Sequence, residues 1–228
     1  MASKFTYEKK TVYEKAGNEI VKEAYEYAKG YARFLDVAKT EREAVCESIA
    51  IAEKAGFRPY TFGMPMKAGD KFYYNNRNKN IYLFSIGTED INNGIRITAA
   101  HIDSPRLDLK QVPMYEEAGM CYLKTHYYGG LRKYQWLASP LALHGVVVKE
   151  DGEVVNITVG EDENDPVMYI TDLLPHLAQG QADKPLAKAF SAEKLNILIK
   201  DLKAAEIGEE TELPCRIYEA TGKWDVIQ

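Results

Sequence analysis

Apolar residues between positions 11 and 35 recur at helical spacing (Val12, Ala16, Ile20, Ala24, Ala28, Tyr31 and Leu35), with Lys and Glu filling the opposite face. A repeat of that period places the apolar set on one stripe and predicts an amphipathic helix. A second helix is predicted over 40–55. Thr40-Glu-Arg-Glu43 has the form of a capping box, and Gly56 can take the left-handed conformation that ends a helix. Strand patterns follow. Residues 71–74 and 81–86 flank an Asn-rich turn at 75–80, and 94–101 reads as a third strand, so the two helices are expected to cover one face of a sheet.

After Pro105 the texture becomes short strand-like runs, glycines and aromatic residues. Asp151-Gly152 joins 144–149 to 154–159 as a hairpin, and Trp136, Leu141, Leu143, Val146 and Val148 are the candidate core around it. An acidic loop at 162–166 leads to a short strand at 167–170 and a short helix at 172–179. Ser191 is a possible N-cap for a helix over 191–203, and 213–219 reads as a final strand running into Thr221-Gly222-Lys223. Helices followed by strands, then a β-rich stretch, divide the chain near Asp108 into an α/β part and a second, mostly β domain.

Composition narrows the function classes. The 228 residues carry 29 basic and 34 acidic side chains, a net charge of −5, and only Lys9-Lys10 makes even a short basic cluster. No basic stripe is present to neutralise phosphates, which argues against nucleic acid as a partner. The first ten residues lack an apolar run of signal-peptide length, and no later stretch approaches the roughly 20 apolar residues that span a bilayer, so no membrane role and a cytoplasmic location are expected. Cys46, Cys121 and Cys215 are widely spaced and odd in number, unlike a disulfide framework or a zinc knuckle, and read as reduced structural residues.

The densest candidate chemistry lies in Ile95-Arg-Ile-Thr-Ala-Ala-His101-Ile-Asp103-Ser104-Pro105. A strand of small and β-branched residues would deliver His101 and Asp103, two positions apart, to one face at its end. An imidazole is a good zinc ligand, and an acid two positions on can orient it from behind. A bare His-x-Asp is also a common surface hydrogen-bonded pair, and spacing alone leaves both readings open. His126, His144 and His176 are scattered, and His144, inside an apolar run, reads as structural. Glu116-Glu117 and Glu209-Glu210 lie in polar segments with turn signals and read as solvated faces.

Thr98-Ala-Ala-His-Ile-Asp-Ser-Pro-Arg-Leu107 resembles the His-Thr-Asp-Ser-Pro segment of aspartyl aminopeptidases. His126-Tyr-Tyr-Gly-Gly-Leu-Arg-Lys-Tyr-Gln-Trp136, followed by Leu-Ala-Leu-His-Gly-Val-Val-Val148, is similar to the segment that opens that family's second domain. Asp172-Leu-Leu-Pro-His176-Leu-Ala resembles the segment whose histidine reaches the active site of a neighbouring subunit. The resemblance runs from the first helix to about Asn196-Ile-Leu-Ile199, and Ile102 replaces the family's usual Thr.

The resemblance implies the following. His101 is a metal ligand and Asp103 a catalytic acid, in a site that holds two zinc ions when complete. His176 binds substrate from the neighbouring subunit. The fold is α/β, with residues 1–107 the N-terminal part of a zinc-peptidase sandwich domain and 108–228 a β-rich dimerisation and substrate-lid domain. The bridging aspartate, a Glu-Glu pair with the general base, and the last Asp and His ligands come from a C-terminal half expected to be absent here, and Glu209-Glu210 does not stand in for that pair. The implied function is release of N-terminal, possibly acidic, residues from peptides by zinc-activated water, in a homo-oligomer formed through the β-rich domain. Of the zinc ligands only His101 is supported, so the chain alone is expected to be inactive and to bind zinc weakly. The competing readings are a non-catalytic oligomerisation module derived from such an enzyme and a peptide-binding β-domain fused to a helical cap.

Overall fold

The computed structural model describes Tyr7 and residues 9–201, the last two by backbone alone. The expected strand at 213–219, the turn after it, Glu209-Glu210 and Cys215 lie outside the described residues. The chain divides into two compact units, one up to Asp103 and the other from Ser104 onward.

In the first unit the predicted long N-terminal helix is broken in two. Thr11 and Glu14 form a capping box for the single turn α1 (Val12–Lys15), and α2 (Asn18–Val37) restarts from Gly17. Each start leaves backbone N–H groups without helical partners, and in α1 the Thr11 side chain takes one of them. No residue of α2 is buried, so its apolar stripe, with Ile20, Tyr31 and Leu35 exposed, does not cover the sheet as expected. The next helix, α3 (Glu41–Lys54), does. It starts at the predicted Thr40–Glu43 capping box, ends before Gly56 at φ +84°, and buries Ala44, Val45 and Ala52.

The sheet of this unit has the order β1-β2-β3, from β1 (Arg58–Pro59), β2 (Lys71–Asn76) and β3 (Asn80–Ser85). β1 runs parallel to β2, and β2 and β3 form the predicted hairpin. Its turn places Arg77 and Asn78 at φ 59° and 56°, with the Lys79 N–H donating to the Asn76 carbonyl at 3.2 Å. Two consecutive positive φ values match the twist of the flanking strands, and Asn tolerates that conformation. The Asn75 side chain fixes the turn by accepting from the Asn78 N–H at 2.9 Å.

The expected third strand over 94–101 is not formed. That segment carries no ladder among the described residues, and Ile95 and Ile97 are exposed. A strand sequence becomes a strand only against a neighbour that pairs its N–H and C=O groups.

The second unit is built on a long hairpin not foreseen from the sequence, β4 (Arg106–Glu117) and β5 (Met120–Tyr128), closed by Ala118 and Gly119 at φ 54° and 77°. A bulge between Leu109 and Met114 shifts its register. The predicted hairpin is present as β6 (Leu143–Val148) and β7 (Val154–Val159), with Gly152 at φ +87° in its loop.

Past this hairpin, Gly160 is held at φ +98°, and a Cβ there would lie 2.9 Å from the Leu141 carbonyl oxygen, so only glycine fits. Two short helical turns, α4 (Gln179–Ala182) and α5 (Leu186–Ala189), precede β8 (Ile197–Asp201), which pairs antiparallel with β5. The helix expected over 172–179 is replaced by a turn.

The helix expected over 191–203 is also corrected. Only 192–194 make a helical turn, and Leu195, Ile197 and Ile199 are then buried at alternate positions. That period of two, with β-branched side chains facing inward, belongs to a strand. Leu123, Met168, Ile170 and Val159 complete the core, with Trp136, Leu137, Leu141 and Leu143 packed around it. Val147 is buried and Val148 exposed, the reverse of the expected facing, because three successive valines give no alternation to set the parity and a one-residue slip turns every side chain over.

An ion pair ties the 192–194 turn to β4, with Lys110 Nζ 2.6 Å from Glu193 Oε2. The Lys110 hydrogen bond and then its charge hold the Glu193 carboxyl below the usual glutamate range. A depressed carboxyl favours the charged folded form, so this contact contributes at neutral pH and is lost as pH falls below the ordinary glutamate value through the folded one. Lys110→Ala should raise the Glu193 titration, followed by carboxyl carbon NMR, toward the ordinary range, with the difference between the two chains shrinking in high salt.

Candidate active site

His101 and Asp103 end the first unit. The His101 Nδ1 lies 3.0 Å from Asp103 Oδ1 and 2.9 Å from the Asp103 carbonyl oxygen. The side chains are 82% and 32% exposed, so the ring stands in solvent while the acid is partly enclosed. The predicted placement on one side is realised, through direct contact and not at the end of a formed strand. An oxygen on Nδ1 selects the tautomer with the proton there and directs the Nε2 lone pair outward. Nε2 is the nitrogen that remains for coordination.

The other three histidines belong to the second unit. His126 stands on β5 opposite Asp108 of β4. His144, half-buried on β6, lies 2.7 Å from Glu161 Oε1, in keeping with a structural role. His176 is exposed in the 171–177 segment, where the Leu177 N–H donates to the Leu174 carbonyl at 2.9 Å. Leu173, Leu174 and Leu177 are exposed as well, so these leucines do not tie the segment into the core.

Among the described residues no three His, Cys, Asp or Glu side chains come together as a metal site. A catalytic zinc takes three protein ligands and a water, so His101 fits as one ligand and the described residues do not complete the set.

A family model of aminopeptidase I zinc metalloproteases (M18) matches residues 34–221. The chain belongs to the M18 aminopeptidase family. A curated relative, a probable M18 family aminopeptidase 1 of Clostridium acetobutylicum, is 47% identical over 209 residues, covering 90% of this chain and 45% of its own. The crystal structure of an M18 aminopeptidase from Thermotoga maritima superposes with a TM-score of 0.81 at 36% identity, over 96% of this chain and 49% of that one. Aminopeptidase I from Clostridium acetobutylicum gives a TM-score of 0.80 at 38% identity, over 98% and 52%. The mixed α/β fold with small sheets is therefore that of M18 aminopeptidases. The chain spans about half the length of the curated relatives it matches.

Proposed function

We propose that this chain contributes His101 as a zinc ligand and Asp103 as the acid that orients it in a metallo-aminopeptidase releasing N-terminal residues, acidic ones among them, from peptides. The observation that carries the reading is the Asp103 carboxylate on Nδ1 of an otherwise solvent-facing His101. Zinc, two ions in the complete site, would polarise the scissile carbonyl and lower the pKa of a bound water. The chain's own part is to hold the imidazole in one tautomer and one orientation, which raises its basicity as a ligand. Residues 1–107 would belong to the catalytic domain and 108–228 to a β-rich dimerisation and lid domain, in a cytoplasmic homo-oligomer. Among the described residues no helix is long and apolar enough to cross a membrane.

The test is a chimera in which residues 34–199 of this chain replace the matching portion of the Clostridium acetobutylicum relative. It should bind zinc and hydrolyse aspartyl or glutamyl p-nitroanilide. The 228-residue chain alone should do neither at a measurable level. Zinc binding and turnover by the chain alone, lost on His101→Ala, would overturn its assignment as a contributor of one ligand.

The exposed leucines around His176 support a role for that segment at a subunit contact, with His176 reaching the substrate of the neighbouring subunit. In the chimera, His176→Ala should lower kcat about 10- to 1,000-fold with zinc content unchanged. Mixed oligomers of His176→Ala with His101→Ala should then recover part of the activity, because one intact site of each kind meets. No recovery in verified mixed oligomers removes the cross-subunit role. The same leucines suit a non-catalytic oligomerisation module, and a chimera that assembles and binds zinc yet hydrolyses nothing would favour that alternative.

A further inference from the structure

Asn93-Gly94 is the one Asn-Gly pair of the sequence. It closes a single helical turn (Ile91–Asn93) that follows β3 and leads into the ladder-free segment 94–101, and residues 87–101 are all exposed. The turn is held firmly at its start. Asp90 Oδ1 accepts from the Asn92 N–H at 2.8 Å and from the Asn92 side-chain amide at 2.7 Å, and the Asn93 N–H donates to the Asp90 carbonyl at 2.9 Å. The Gly94 N–H closes the other end on the Ile91 carbonyl at 3.0 Å. Gly94 sits at φ 113° and ψ 168°, a region that glycine alone visits readily. Its nitrogen has no Cβ beside it to shield it from the preceding side chain.

We propose that Asn93 is a site of spontaneous deamidation, in which the Gly94 nitrogen closes on the Asn93 side chain and an uncharged residue becomes aspartate and isoaspartate. The Gly94 nitrogen attacks Asn93 Cγ, its proton leaves with the carboxamide nitrogen as ammonia, and a five-membered cyclic imide remains. Water then opens the imide at either carbonyl. Breaking the bond from the Gly94 nitrogen to Cγ gives aspartate, and breaking its bond to the main-chain carbonyl carbon gives isoaspartate, with the chain running through the side chain. Asparagine and water become an acid and ammonia, with no oxidant, metal or enzyme in the balance. One further negative charge takes the net charge from −5 to −6. The isoaspartyl form also adds one carbon to the backbone within the exposed run that leads to His101.

The structure singles out this position among its near equivalents. The Gly94 nitrogen must give up its bond to Ile91 before it attacks, but one exposed bond at the end of a turn is worth little in water and slows such a step by about tenfold at most. Asn92 is followed by a residue that carries a Cβ, and its carboxamide is held by Asp90. Asp151-Gly152 could close the same ring with loss of water, but it lies in the β6–β7 hairpin. There the Glu153 N–H donates to Asp151 Oδ1 at 2.9 Å, the Gly152 N–H donates to the Lys149 carbonyl at 3.0 Å, and the Val148–Val154 pair of the ladder adjoins the turn. Ring closure at that position requires the hairpin end to open, so Asn93 is the faster site.

The experiment incubates the full 228-residue chain in warm, mildly alkaline buffer made with heavy-oxygen water, then maps it by mass spectrometry after digestion, with isoaspartate scored by an isoaspartyl methyltransferase. The peptide carrying Asn93 should gain one acidic group with one oxygen from solvent, isoaspartate being the larger product. Its rate should lie within about tenfold of that of a free peptide of residues 89–98 in the same buffer. An acidic form of the whole chain should build up in step on ion exchange and be absent with Asn93→Gln, whose longer side chain disfavours the ring. The map of the unaltered chain makes the result independent of how that variant folds. Asn93 left intact, or converted far more than tenfold slower than in the free peptide, would show that the turn protects it and overturns the proposal. Conversion of Asn92 or Asp151 as fast as Asn93 overturns it equally.

Discussion

His101→Ala in the active chimera is expected to abolish hydrolysis of aspartyl p-nitroanilide and to lower the zinc bound per chain. The imidazole is proposed as a direct ligand, so its loss leaves a metal position one protein donor short of the three that a catalytic zinc requires. Asp103→Asn should act differently. The amide keeps the shape of the carboxylate but loses its charge, so the ring is held less firmly and is a weaker donor, and the expected cost is about 10- to 100-fold in activity or metal affinity. Metal analysis beside steady-state kinetics separates the two: zinc lost with His101→Ala, zinc weakened and activity partly retained with Asp103→Asn. Equal zinc content and equal kcat in the His101→Ala and unaltered chimeras would remove His101 from the site. The ladder of effects also tests the 3.0 Å contact itself, since Asp103→Asn would be silent if the carboxylate did not orient the ring.

Leu123→Ala should lower the stability of the β-rich unit by about 2–5 kcal/mol, read as a shift of the urea unfolding midpoint without a change of slope. Leu123 is fully buried on β5, opposite Ile197 of β8, in the cluster that includes Met168, Ile170 and Leu195. Removing its side chain deletes apolar contacts and leaves a cavity bounded by two sheet strands, which close less readily than loops. Val148→Ala, on the exposed side of β6, serves as the comparison and should change stability by less than about 0.5 kcal/mol. Equal effects at the two sites would mean that the core is not where the β5–β8 pairing puts it.

Several local features were legible because their causes are local. The Thr40–Glu43 capping box lies within one helical turn, and the structure shows both of its hydrogen bonds. The two short hairpins carried Asn or Asp-Gly at their turns, where positive φ is needed. His101 and Asp103 are two residues apart, so their contact needs no distant element. The long β4–β5 hairpin escaped notice because Ala118, at φ 54°, is not a residue that announces a turn. At 191–203 a plausible N-cap outweighed a run of alternating leucine and isoleucine that only the partner strand β5 could resolve.

The sequence by itself determined the start of α3, the turns of the two short hairpins, the His101–Asp103 pair and the family resemblance, since each rests on residues within a few positions or on ordered motifs along the chain. Only the tertiary structure decided which valine of β6 faces inward, that 197–201 is a strand, and that 94–101 carries no ladder among the described residues. These are questions of pairing and facing, and a residue's face is set by the neighbour it meets across space, which no pattern along one segment contains.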